Sequence, residues 1–150
     1  MIPIATEIET SINTYLPQFD SVSEDQFSLK PLPTKWSKKE LIGHLIDSAQ
    51  SNLRRFVVAQ YEENPTINYN QDKWIAINNY QAWDVKDLVQ LWQLLNRQIV
   101  FVLKNISEEM SERICITSAS YTIESLAQDY LKHLKHHLHQ VLNLEAFAYP

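Results

Sequence analysis

Four of the five histidines fall within one short stretch: His133, His136, His137 and His139. If that stretch is helical, a turn of about 100° per residue puts His133 and His137 in the sector of Leu126, Tyr130, Val141 and Leu144. His136 and His139 fall instead with Asp129, Lys132 and Asn143. One pair is therefore expected to point inward and the other toward water. Two imidazoles at i and i+4 on one helix face can hold a single cation between them. The fifth histidine, His44, borders another apolar stripe, alongside Ser48, Asn52 and Arg55. The segment His133-Leu134-Lys135-His136-His137 has leucine directly after its first histidine, where a zinc protease motif needs glutamate. The segment is therefore not that motif, and no metalloprotease follows from it.

The plainer alternative is a set of buried or half-buried histidines satisfied by ordinary hydrogen bonds. Against it, each buried imidazole needs a donor and an acceptor, and two adjacent ones without a shared partner are costly. A third histidine at matching depth would also complete a ligand set. His44 lies roughly 10 Å from the start of its helix and the pair roughly 13 Å from the end of theirs, at 1.5 Å per residue. Antiparallel packing of those two helices would bring all three level. Three imidazoles with an open fourth position form a known catalytic arrangement for a divalent ion. Unperturbed histidine titrates near pH ~6.5, so the metal affinity of such a site is expected to fall between about pH 7 and 5.

Periodicity supplies the elements that must position these residues. Ile4, Ile8, Ile12, Tyr15 and Phe19 predict a helix over 3–19, with Pro17 kinking or ending it. Ser37-Lys38-Lys39-Glu40 reads as a capping box for a helix to about Tyr61, with Leu41, Leu45, Ala49, Leu53 and Phe56 as its stripe. A long connection over 62–83 carries Tyr69, Trp74, Tyr80 and Trp83, suited equally to a pocket lid or to capping the core. Asp84 can cap a third helix over 85–105, and Thr122 a fourth to about Leu144. Between them, 106–121 reads as polar and turn-like, with a β-branched patch at 114–117. Four amphipathic helices, none apolar all round, predict an all-α four-helix bundle, a single domain over 1–150.

Composition narrows the function classes. One glycine in 150 residues disfavours closely turned all-β folds. A net charge of −5 is a poor match to nucleic acid or to an anionic membrane surface. No apolar run approaches the ~18–20 residues of a membrane span. Cys115 is the lone cysteine, so no internal disulfide forms, and a buried inert thiol is expected. The start Met-Ile-Pro-Ile-Ala-Thr-Glu lacks the marks of an export signal, which with the free thiol predicts a cytoplasmic protein.

Two longer motifs carry a resemblance. The run from Trp36 through Ser37, Glu40, Gly43, His44, Asp47 and Ser48 resembles the second-helix signature of the DinB/YfiT-like superfamily. The run from Asp129 through Tyr130, His133, His136, His137 and Val141 resembles its fourth-helix signature. The resemblance implies an up-down-down-up bundle with a long connection between helices two and three. It places the family's three-histidine site on His44, His133 and His137, holding a divalent metal: zinc or nickel foremost, with iron and manganese next. It also implies a small-molecule substrate, handled as by a thiol S-transferase using a low-molecular-weight thiol such as bacillithiol, mycothiol or glutathione, or as by a metal-dependent hydrolase. Expected pocket neighbours are Ser48, Asn52, Arg55, Tyr130 and Gln140. Asp47 reads first as an exposed carboxylate paired with a basic neighbour, and second as a residue orienting a ligand. The alternative function is a non-catalytic bundle that binds a ligand or forms a homodimer, its histidine cluster structural or vestigial.

Overall fold

The structure is a computed structural model and describes residues 1–149. Four long helices build the bundle: α1 (Ile2–Tyr15), α3 (Lys38–Val58), α5 (Val85–Asn105) and α7 (Ile123–Leu142). Short helices α2 (Glu24–Ser28), α4 (Gln71–Asn78) and α6 (Glu108–Ser111) lie in the connections, as does a hairpin of β1 (Ile114–Ile116) and β2 (Ser120–Thr122). Ser37 caps α3 as the sequence predicts: its hydroxyl accepts from the Glu40 amide, and Glu40 reaches back to the Ser37 amide at 2.8 Å. Asp84 caps α5 by accepting from the Lys86 amide, and Thr122 caps α7 by accepting from the Ser125 amide. The α1 helix stops at Tyr15, and Pro17 sits in a tighter helical turn over Leu16–Ser21.

Around the bundle, α1 packs on α5, α5 on α3, α3 on α7 and α7 on α1. Side-chain contacts fix the directions. Lys38, at the start of α3, bonds the carbonyl of Val141 near the end of α7, so these two are antiparallel. Lys39 donates to the carbonyl of Trp83, just before α5, at 2.9 Å, so α3 and α5 run parallel. Lys135 reaches Glu7 while Tyr15 meets His139, so α1 and α7 are also parallel. The order is up-down-down-up, and the core between the helices is apolar, with Ile8, Ile12, Leu45, Phe56, Trp92, Ile99 and Leu134 fully buried.

Two connections hold more structure than the periodicity predicts. Segment 62–83 contains α4 and a short tight helical turn over Tyr80–Ala82. The β-branched patch forms β1, whose Ile116 accepts from the Ile67 amide at 2.9 Å and donates to the Pro65 carbonyl at 2.8 Å. Elements of three to eight residues are too short to show a periodicity. The crossover presses onto α3 at Gly43, where a Cβ would come within 2.0 Å of the Tyr80 ring. Gly43→Ala should therefore displace Tyr80 and cost about 1–3 kcal/mol, read as a lowered midpoint in denaturant. An unchanged midpoint would show that the crossover is not seated there.

Candidate metal centre

The antiparallel pairing of α3 and α7 sets His44 against His133 and His137. His44 Nε2 lies 2.9 Å from His133 Nε2, and one ring nitrogen from each of the three histidines lies within 4.8 Å of the others. Tetrahedral ligation at ~2.0–2.1 Å bonds wants nitrogens about 3.3 Å apart, so small side-chain adjustments suffice. Partners set the tautomers. His137 Nδ1–H donates to Gln140 Oε1 at 2.8 Å, which leaves Nε2 with its lone pair free for the cluster. Ser48 Oγ lies 3.5 Å from His133 Nδ1, on the side away from the cluster. His44 Nδ1 is buried without a partner among the described residues.

Burial suits the set to a cation ligand's work. His44 is 2% exposed, and its pKa is pushed down to about 4, by desolvation first and then by the nearby His137. That of His133 is pushed down to about 2 by desolvation and then by His137, His44 and His136. His137 shifts in the same direction for the same first cause, with the Gln140 bond opposing. All three are thus neutral at pH 7, as metal ligands must be. Two Nε2 atoms face each other at bonding distance, and the three-imidazole donor set suits zinc, nickel or iron. The residues fit a divalent ion.

Trp36 packs on the His44 ring at 5.1 Å between centroids. Beside it opens a cleft of about 480 Å³ lined by Pro31, Thr34, Trp36, Leu41, His137 and Gln140, which gives access to the cluster from solvent. On the opposite side of His133 the polar residues continue along α3. Asn52 Nδ2 donates to the Ser48 carbonyl at 2.9 Å, and Arg55 Nη1 donates to Asn52 Oδ1 at 3.1 Å. Tyr130 is sealed in the core, with its hydroxyl donating to Asn96 at 2.6 Å. Of the five expected pocket residues, Gln140 lines the cleft and Ser48 touches the cluster, while Tyr130 faces the interior.

Two expectations need correction. His136 and His139 are half-buried and do not face water. The segment after α7 turns back at Asn143, a left-handed C-cap (φ 55°), and lies along the helix. There His139 Nδ1–H donates to the Glu145 carbonyl at 2.6 Å, and His136 Nδ1–H donates to the Phe147 carbonyl at 2.9 Å. Tyr149 follows, its ring 5.6 Å from those of His133 and His136 and its hydroxyl donating to Asp129 at 3.0 Å. Asp47, expected at the surface, is fully buried because the crossover covers it. It accepts from Tyr80 Oη at 2.5 Å and Asn78 Nδ2 at 3.2 Å, and burial raises its pKa to about 6. The aromatics of the crossover divide: Tyr80 joins the core, Tyr69 and Trp74 are half-buried, and Trp83 is partly exposed. Cys115 is buried as expected, which raises its pKa.

Comparison with known proteins agrees with this fold. The sequence pattern of the DinB superfamily matches residues 7–141. A protein of Oceanobacillus iheyensis, provisionally named a metal-dependent hydrolase, is 24% identical over 135 residues, covering 88% of this chain and 78% of its own. YfiT of Bacillus subtilis, provisionally named likewise, is 24% identical over 113 residues, 73% of this chain and 64% of its own length. The solved structure of YfiT, described as having an unusual four-helix bundle topology, superposes with a TM-score of 0.83 at 19% identity over 94% of this chain and 83% of that one. A mycothiol-dependent maleylpyruvate isomerase superposes with a TM-score of 0.76 at 16% identity, over 97% of this chain but only 61% of that one.

Proposed function

The chain belongs to the DinB superfamily, and from that premise we propose that it is a divalent-metal enzyme acting on a small molecule, its ion held by His44, His133 and His137. The observation that carries this reading is the convergence of three neutral imidazoles from α3 and α7 within 4.8 Å, beside a cleft that reaches solvent. A divalent ion held by these three residues would supply Lewis acidity, making a thiol or water nucleophilic at neutral pH. The protein's part is orientation and enclosure. Gln140 fixes the tautomer of His137, Trp36 wedges the His44 ring, and Tyr149 shields one face of His133 from water. The cleft beside His137 and Gln140 is one route from solvent to the cluster.

The reaction class is transfer of a thiol to an electrophile, or hydrolysis. The names of the relatives support both: a provisional metal-dependent hydrolase at 24% identity and a thiol-dependent isomerase of the same fold. Zinc or nickel is the proposed metal. Elemental analysis of the native protein should find about one divalent ion per chain. A screen pairing low-molecular-weight thiols with electrophiles, run beside a hydrolysis screen, should then separate the two reactions. Protein that is purified without metal and binds neither zinc nor nickel when offered would favour the non-catalytic alternative.

A further inference from the structure

Arg55 is a half-buried guanidinium without a carboxylate. Its Nε donates to the Ile67 carbonyl at 3.2 Å and its Nη1 to Asn52 Oδ1 at 3.1 Å, both uncharged acceptors. No ion pair involves it among the described residues. The carboxylate of Asp129 favours the charge of Arg55 but forms no ion pair with it among the described residues, and accepts from Tyr149 at 3.0 and 3.2 Å. Arginine carries five N–H donors and stays charged at any accessible pH, so three donors remain, two of them on Nη2. Nη2 is neither bonded within the described residues nor sealed from solvent. A cation drawn partly out of water is costly unless an anion meets it.

The surroundings hold this group at a fixed place relative to the metal centre. Its neighbour Asn52 donates to the carbonyl of Ser48 and also to its hydroxyl at 3.3 Å, and Ser48 faces His133. The Ile67 carbonyl belongs to the crossover where it pairs with β1, so the guanidinium is clamped between two rigid elements. Asn52 stands eight residues beyond His44 on the same helix, about 12 Å along the axis. A planar fork with two free N–H groups matches a carboxylate in bidentate geometry.

We propose that Arg55 is an anion-binding subsite that takes a carboxylate of the thiol or substrate, on the order of 10 Å from the atom that reacts at the metal. The subsite selects molecules long enough to span both points and excludes neutral ones of equal length. It rests on the metal-enzyme reading only for the position of the reacting atom.

The test uses zinc-loaded protein and two probes of the same length, glutathione and glutathione dimethyl ester. Calorimetry should show glutathione binding at least about tenfold more tightly, the worth of one charge-assisted bond. Arg55→Gln should abolish that preference while leaving zinc affinity unchanged, and Arg55→Lys, which keeps the charge but not the fork, should retain part of it. No preference in the native protein, or a preference that survives in R55Q, overturns the subsite. If neither thiol binds, the metal reading fails instead, and the subsite is read on metal-free protein with succinate. A succinate-dependent rise in melting temperature that R55Q lacks would then support it, and no rise in the native protein would overturn it. Should R55Q not fold, the ester comparison in native protein and R55K decides.

Discussion

His44→Ala, His133→Ala and His137→Ala should each lower zinc affinity by more than about 100-fold, beyond the 10–100-fold that loss of a supporting residue costs. Each removes one of three nitrogens that converge within 4.8 Å, and two imidazoles do not hold a divalent ion as three do. His136→Ala and His139→Ala should leave zinc affinity within about threefold of native, although they lie on the same helix. Their ring nitrogens are occupied elsewhere, on the carbonyls of Phe147 and Glu145 and on Gln140 and Tyr15. Gln140→Ala should fall between the two groups, because it frees the His137 ring without removing it. Competition titration against a chromophoric chelator measures all six. Equal losses across the four histidines of α7 would mean that its rotation about its own axis is wrong.

Acid should destabilise the metal-free protein strongly, and in a lower window than free histidine suggests. Unfolded histidine titrates near pH ~6.5, whereas burial holds His44 at about 4 and His133 at about 2 in the folded chain. Between those values and 6.5 the unfolded chain binds more protons, so stability is full above about pH 6.5 and is lost as pH falls toward 4. At pH ~4.5 the loss is on the order of 2–3 kcal/mol for each of the two. Asp47 opposes it. Its folded pKa of about 6 lies above the ordinary 3.8, so it gains a proton on folding and returns some stability as pH falls through that range. Asp47→Asn removes this compensation, so its melting temperature should drop more steeply with acid than that of the native protein. Zinc affinity should hold to about pH 5 and fall below it, because proton competition in the folded site starts late. That lies below the window of about pH 7 to 5 expected from unperturbed imidazoles. An affinity already collapsing at pH 6 would show that water reaches the cluster freely.

The bundle and the convergence of three histidines were legible because their signals are periodic. Leu126, Tyr130, Leu134 and Val141 mark the buried face of α7, and the same arithmetic puts His133 and His137 on the side facing His44. The depth argument also needed only the capping box at Ser37 and the end of α7. What was not legible depends on contacts between segments distant in sequence. Asp47 reads as a surface carboxylate until Tyr80 and Asn78 fold over it, 33 and 31 residues later. His136 and His139 lie on the outward side of the wheel, and nothing local shows that the returning chain covers them. Gln140 sits near the inward sector, but its double bond to His136 and His137 is a matter of rotamers that spacing alone does not fix.

The direct contact between His44 and His133 spans 89 residues, which gives the antiparallel pair α3 and α7 a kinetic meaning. During synthesis at about 5–20 residues per second, roughly 4–18 s pass between the appearance of one histidine and the other. Through that interval α3 has its first ligand exposed and no partner for it, and its apolar stripe is covered at best by α1 and α5. One imidazole cannot retain a divalent ion against water, so the nascent chain carries no metal. Closing so large a loop is entropically expensive and comes late, after the local turns of each helix have formed. A divalent ion would therefore load only into the finished bundle, and metal present during refolding should raise the yield of the native state without speeding its formation.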